Sequence, residues 1–311
     1  MLRLAALAFA LAAAAPAAGQ GSGAVCGDIA CESLGATAWI GVWRDAALAA
    51  DGAAEAEALH RLDTLAFWPP PVVALARWTL EAAPSGAILL AHGDGDAIPA
   101  AMLQHTDRLR PDVTVVHVGL LAEPGYVRRL AEGDGLPLGP DPAGLLALDA
   151  LVAFWIAEAA SGHLDRPVVG TLTLDADVIG RHAPAVVSAG AYQRPGTATE
   201  PPFDRAAAEA AAGHASGADF VGPRVSPADC DSARVASPVD LGGVVLFQLL
   251  QTAVSHAQAG DAAAAEQAYA RARTFAVEAQ TPDDPLVAIA REWIDAALAG
   301  PPTADSLNQP R

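Results

Sequence analysis

Short unbroken apolar runs alternate with helical stripes through the middle of the chain. Ala87-Ile88-Leu89-Leu90-Ala91 follows the turn former Pro84-Ser85-Gly86 and leads into the polar stretch His92-Gly93-Asp94-Gly95-Asp96. From Ala97 the spacing of Ile98, Met102 and Leu109 predicts a helix, with Pro99 tolerated in its first turn and Pro111-Asp112 ending it. Val113-Thr114-Val115-Val116-His117-Val118 is a second β-branched run. Strand, helix and strand within about thirty residues predict a βαβ unit, whose two strands are parallel. Their near-continuous apolar character fits strands covered on both faces.

The pattern recurs more loosely downstream. Residues 123–132 predict a short helix, and 143–160 a longer one with Leu145, Leu148, Val152, Trp155 and Ile156 toward a core. Val168 to Leu174 is a third strand, and Val186, Val187 and Tyr192 mark a fourth element. Residues 195–240, rich in Pro, Gly, Ala, Ser and Asp, read as a long connection holding one helix around 205–212. From Leu241 the chain is helical: 244–258, a Gly260-Asp261 turn, 262–280, then a third helix whose start is marked by Asp283-Asp284-Pro285. Gly260, Ala265, Tyr269 and Ala272 stand at the offsets of a tetratricopeptide hairpin. One such hairpin cannot bury its own face, so it is expected to pack on the α/β unit or on another protein. The fold class is therefore α/β: a Rossmann-like parallel-sheet domain over residues 20–194, then a small tetratricopeptide-like helical segment over 241–300. A disordered tail is expected at 301–311.

The first nineteen residues predict a leader. Arg3 is a positive start, residues 4–14 an apolar stretch, and Ala15-Pro16-Ala17 or Ala17-Ala18-Gly19 a small-residue cleavage site. Neither this run nor residues 241–250 reaches the ~20 apolar residues that span a bilayer. The expected location is thus periplasmic or secreted, with no membrane insertion.

Charge narrows the partners. The chain has 311 residues with 18 basic against 36 acidic side chains, a formal charge of −18, and contains no lysine. Nucleic acid needs clustered positive charge, so no nucleic-acid partner is expected. Schiff-base and P-loop lysine chemistry are excluded. The mean hydropathy of +0.29 comes largely from alanine and signals no membrane character. Cys26, Cys31 and Cys230 are disulfide candidates in an oxidising compartment; the odd number leaves one thiol over, and a pair including Cys230 is slightly favoured because it closes the longer loop. They match no common zinc pattern.

Chemistry, where present, is expected at the carboxyl ends of the strands, where parallel sheets hold ligands. His92, Asp94 and Asp96 follow the first strand, His117 ends the second, and Asp175 and Asp177 follow the third. Converging carboxylates and imidazoles there would suit a divalent cation, with Asp94 and Asp96 as its ligands. The alternative is that Asp94 or Asp96 caps the following helix, its carboxylate taking backbone N–H bonds. No H-E-x-x-H or G-x-S-x-G motif is present, and Gly93-x-Gly95 lacks the third glycine of a dinucleotide fingerprint. Trp39, Trp43, Trp68 and Trp78 read as core anchors before a sugar-stacking platform.

The stretch from Ala83 to Pro99, with its His92-Gly93-Asp94-Gly95-Asp96-Ala97-Ile98-Pro99 turn, resembles a large family of bacterial membrane proteins grouped with the GT-C type glycosyltransferases, including protein O-mannosyltransferases. There the strand ends in an N-G-D-N-D-T-F-P turn. Arg110-Pro111-Asp112 through Leu121, Tyr126, Arg166-Pro167-Val168-Val169 and Gly190-Ala191-Tyr192-Gln193-Arg194 are similar again, and such proteins frequently carry tetratricopeptide hairpins afterwards. The family's transmembrane helices and membrane-proximal acidic residues have no counterpart here. The resemblance implies a fold and an envelope or glycan setting without carrying the transferase activity over. The expected function is an exported, non-catalytic accessory protein of the cell envelope that engages an envelope protein through its C-terminal helices. The alternative is a metal-dependent exported enzyme or a glycan-binding protein with its site at the 92–96 turn.

Overall fold

The structure, a computed structural model, describes residues 27–139, 148–221 and 241–299, with side chains from residue 38 in the first stretch and from 149 in the second. The expected leader at 1–19, the expected disordered tail at 301–311, Cys26 and Cys230 lie outside the described residues, and so does the Cys31 side chain.

Among the described residues three helices come first: α1 (Gly27–Ala49), α2 (Gly52–Thr64) and α3 (Pro70–Ala82). Asp51 caps α2 by accepting the N–H groups of Ala53 and Ala54. Then β1 (Ile88–Ala91), α4 (Asp94–Thr106) and β2 (Thr114–His117) form the expected strand–helix–strand unit. A 3-10 turn (Val118–Ala122), α5 (Pro124–Gly133), α6 (Leu148–Ser161), β3 (Val168–Thr171), α7 (Ala176–Gly180), β4 (Ala185–Ser188) and β5 (Tyr192–Gly196) follow. After α8 (Arg205–Ala212) and a 3-10 turn at Gly217–Phe220 come α9 (Leu241–Gln258), α10 (Ala262–Glu278) and α11 (Pro285–Ala299).

The five strands lie in the order β2-β1-β3-β5-β4. β1 runs parallel to β2, with Leu89 opposite Val115, and parallel to β3, with Leu89 opposite Val169. The sheet is mixed rather than wholly parallel: β5 is antiparallel to both β3 and β4. The physical reason is the short connection from β4 to β5, which allows a hairpin and no crossover helix. The expected third strand stops at Thr171, because the Leu174 N–H turns back to the Thr171 carbonyl at 3.2 Å. The helix after β1 starts at Asp94 and ends at Thr106, earlier than the expected stop at Pro111; Arg108 and Arg110 take positive φ (55° and 45°), which a continuing helix does not accommodate.

Alternation along β1 sends Ile88 and Leu90 into one core and Leu89 into the other, all at most 1% exposed. The first core holds Trp43, Trp68, Tyr126, Leu130 and Trp155. The second is continuous from Trp78 and Val169 through Leu246 and Leu249 to Ile294. The C-terminal helices therefore pack on the α/β part and share its core. Trp43, Trp68 and Trp78 are all buried, which assigns them to packing.

Two guanidinium groups tie the amino-terminal side of the sheet. Arg110 donates to the carbonyls of Leu80, Ala83 and Pro84 at 3.0, 2.8 and 3.1 Å, satisfying backbone acceptors at the end of α3, and pairs with Asp112. Arg166 donates to the Gly86 carbonyl and to Thr114 Oγ1. No helix among the described residues is long and apolar enough to cross a membrane.

Candidate functional site

The carboxyl ends of β1, β2 and β3 adjoin, because β1 lies between the other two. The chain reverses direction about β1, and this switch point is where parallel sheets open a ligand crevice. Gly93, at φ 71°, lets the backbone leave β1 and enter α4 directly, and it stands as the N-cap residue.

Asp94, the first residue of α4, faces β2 and α1. Its Oδ1 lies 3.1 Å from His117 Nε2, and its Oδ2 accepts from Arg44 at 2.8 Å. The hydrogen bond with His117 and, after it, the Arg44 guanidinium hold the Asp94 carboxyl below its ordinary range, against burial that pushes it up. His117 is 6% exposed, its Nδ1 has no hydrogen-bond partner, and its ring sits 6.1 Å from that of Trp43. This suits the Nε2–H tautomer, which leaves a bare lone pair rather than a buried donor at Nδ1. The His117 backbone N–H donates to the Tyr126 phenol oxygen at 2.9 Å.

Asp96 turns the other way, across the switch point. Its Oδ2 accepts the His92 backbone N–H at 3.1 Å and Thr171 Oγ1 at 2.8 Å, and it is also hydrogen-bonded to Thr173 Oγ1. From the third helical position Asp96 thus reaches back to the N–H of the residue before the N-cap, tying the chain that enters α4 to the end of β3. The expected helix cap is not made: neither Asp94 nor Asp96 accepts from the free N–H groups of α4, and the N-cap residue is Gly93, which has no side chain.

The five expected site residues separate. Asp94, Asp96 and His117 are brought to one edge. His92 contributes its backbone N–H while the residue is otherwise exposed. Asp175 caps α7, accepting the Asp177 N–H at 2.9 Å. Among the described residues no group of three or more His, Cys, Asp or Glu is placed to hold a metal ion. Asp94 and Asp96 are directed at different partners, Asp94 at β2 and α1 and Asp96 at the end of β3.

Behind this edge lies a second polar pair. Glu55, 8% exposed, takes Arg129 through both carboxylate oxygens at 2.9 and 3.2 Å, and burial pushes its carboxyl up against that pairing. Arg44, Glu55, Arg129, Thr171 and Thr173 were not singled out from the sequence. The two threonines, one ending β3 and one two residues beyond it, are a usable signal; Arg44, 50 residues from its partner, gives none.

An apolar groove opens elsewhere, between α9 and α11. It is lined by Phe247, Leu250, Val254, Leu286, Ile289 and Trp293, with Gln251 as a polar edge. Ile289 is 37% exposed there. Comparison of the chain with family models, with curated proteins and with solved structures found no match.

Proposed function

We propose that this chain is an exported, non-catalytic accessory protein of the cell envelope, acting by binding another envelope protein through its C-terminal helices. The observation that carries the reading is that the strand-edge carboxylates bond to groups of the fold. Asp94 is engaged by His117 and Arg44, and Asp96 by His92, Thr171 and Thr173. Both oxygens of Asp94 and the Oδ2 of Asp96 bond to groups of the fold itself, which favours a structural role for this edge over a catalytic one. The groove between α9 and α11 provides the contrasting surface, apolar and open.

The setting rests on sequence features. The leader at residues 1–19 supports export to the periplasm or beyond. The turn at 92–99 and the Arg110-Pro111-Asp112 and Arg166-Pro167 motifs support kinship with the soluble part of membrane glycosyltransferases. In this reading the β1–α4–β2 unit is a Rossmann-like element, and α9 with α10 is a tetratricopeptide-like hairpin repurposed as a partner surface.

The test is site-specific photo-cross-linking with the full chain in an envelope extract of its host. A photoreactive side chain replaces Ile289 in one sample and His92 in another. The reading expects one discrete adduct from position 289 and none from position 92. Adducts from position 92 alone would contradict it and move the function to the strand edge.

A further inference from the structure

We infer that the α9–α11 groove seats an amphipathic helix of another protein whose apolar stripe is flanked by arginine or lysine; this rests on the reading of the C-terminal helices as the partner surface. On α11, Leu286, Ile289 and Trp293 recur at helical spacing along one wall. On α9, Phe247, Leu250 and Val254 form the other. On both helices the lining side chains recur at every third or fourth position, the spacing that receives the anchors of a helix laid along the groove. Burying such side chains supplies affinity in proportion to the apolar area removed from water.

Charge decides which helix. α9 carries no Asp, Glu, Lys or Arg over its 18 residues. Across residues 241–299 the acidic residues are Asp261, Glu266, Glu278, Asp283, Asp284, Glu292 and Asp295, against three arginines, Arg271, Arg273 and Arg291. Two of those arginines are already committed: Arg271 to Glu209, and Arg291 to Glu266 and Asp295. Glu292, one turn beyond Ile289, and Asp283, just before α11, are exposed and make no ion pair among the described residues. The groove is therefore apolar at its floor and negative beside and before its α11 wall. That complements a helix with basic flanks, and the like charges steer away an acidic one. A second copy of this chain, itself at −18, is disfavoured on the same ground.

Fluorescence anisotropy with two labelled synthetic helices tests the inference on the full-length chain at physiological ionic strength. One probe carries a leucine stripe flanked by lysine; in the other glutamate replaces each lysine. The lysine probe is expected to bind about tenfold or more tightly than the glutamate probe, and Ile289→Asp to weaken it about tenfold. The aspartate adds negative charge, so mere attraction of a cationic peptide to an acidic surface would make that variant bind as well or better, which would overturn the inference. Ile289→Gln, neutral and milder, is expected to weaken binding in the same direction if Ile289→Asp fails to fold. A concentration-dependent dimer abolished by Ile289→Asp would also overturn it, assigning the groove to a second copy. Cross-linking from position 289 without preference for the lysine probe would sink the basic-helix inference alone and leave the binding-protein reading standing.

Discussion

Tyr126 lies under the strand edge, 2% exposed, with its phenol oxygen accepting the His117 N–H and the Arg129 guanidinium 5.7 Å over its ring. Burial pushes the phenol up to about 12. An unfolded tyrosine ionises near pH 10, so between about 10 and 12 the folded state holds a proton that the unfolded state has lost, and stability falls as pH rises through that window. Thermal melts from pH 9 upward should show this decline, and Tyr126→Phe should make it shallower while lowering the melting temperature at neutral pH. Some slope should remain, because burial raises the Tyr192 phenol as well. At this scale the sequence was legible where chemistry is local. Asp94, Asp96 and His117 stand out because they follow apolar runs. Their partners do not, because Thr171 is 75 residues from Asp96 and Arg44 is 50 from Asp94, and no periodicity encodes such pairings.

Elements were read most faithfully where apolar spacing was sustained. β1, β2 and α8 to α11 fall within a few residues of the expected spans, since their buried faces repeat without interruption. The antiparallel β5 was harder, because Tyr192-Gln193-Arg194-Pro195-Gly196 has neither the apolar run of a central strand nor a strict alternation. The 3-10 turn at Gly217–Phe220 was also missed; it depends on a distant contact. A Cβ at Gly217 would stand 2.2 Å from the Phe275 carbonyl oxygen on α10 and 2.8 Å from Glu278 Cβ, and the Gly217 N–H donates to the Glu278 carboxylate at 3.1 Å. Gly217→Ala must therefore push the turn off α10. A destabilisation of about 1–3 kcal/mol is expected from such overpacking, measured by urea unfolding. An unchanged midpoint would show that α10 is not held this way.

Over the whole molecule, the second core joins the two halves that composition alone would separate. Val245, Leu246 and Leu249 of α9 belong to the same buried cluster as Trp78, Leu89 and Val169. Leu246 is fully buried, so Leu246→Ala should cost about 2–5 kcal/mol. Both halves should feel that loss together, as one transition seen alike by aromatic and backbone circular dichroism. Two separated transitions would make the helical segment an independent unit. The division at residues 195–240 was suggested by a polar, proline-rich composition, and composition cannot report that the helices on either side share one core.

The central proposal is that the strand-edge carboxylates are there to hold the fold. Sites kept for function commonly cost stability, so removing a functional carboxylate tends to raise the melting temperature, whereas removing a structural one lowers it. Asp96→Ala leaves the His92 N–H and two threonine hydroxyls without their acceptor. The decisive measurement is the thermal stability of Asp96→Ala against the parent chain, with and without divalent cations. The account predicts a loss of about 1–3 kcal/mol that no cation alters. A variant as stable as the parent or more so, beside a parent chain that magnesium, calcium, manganese or zinc stabilises, would contradict it.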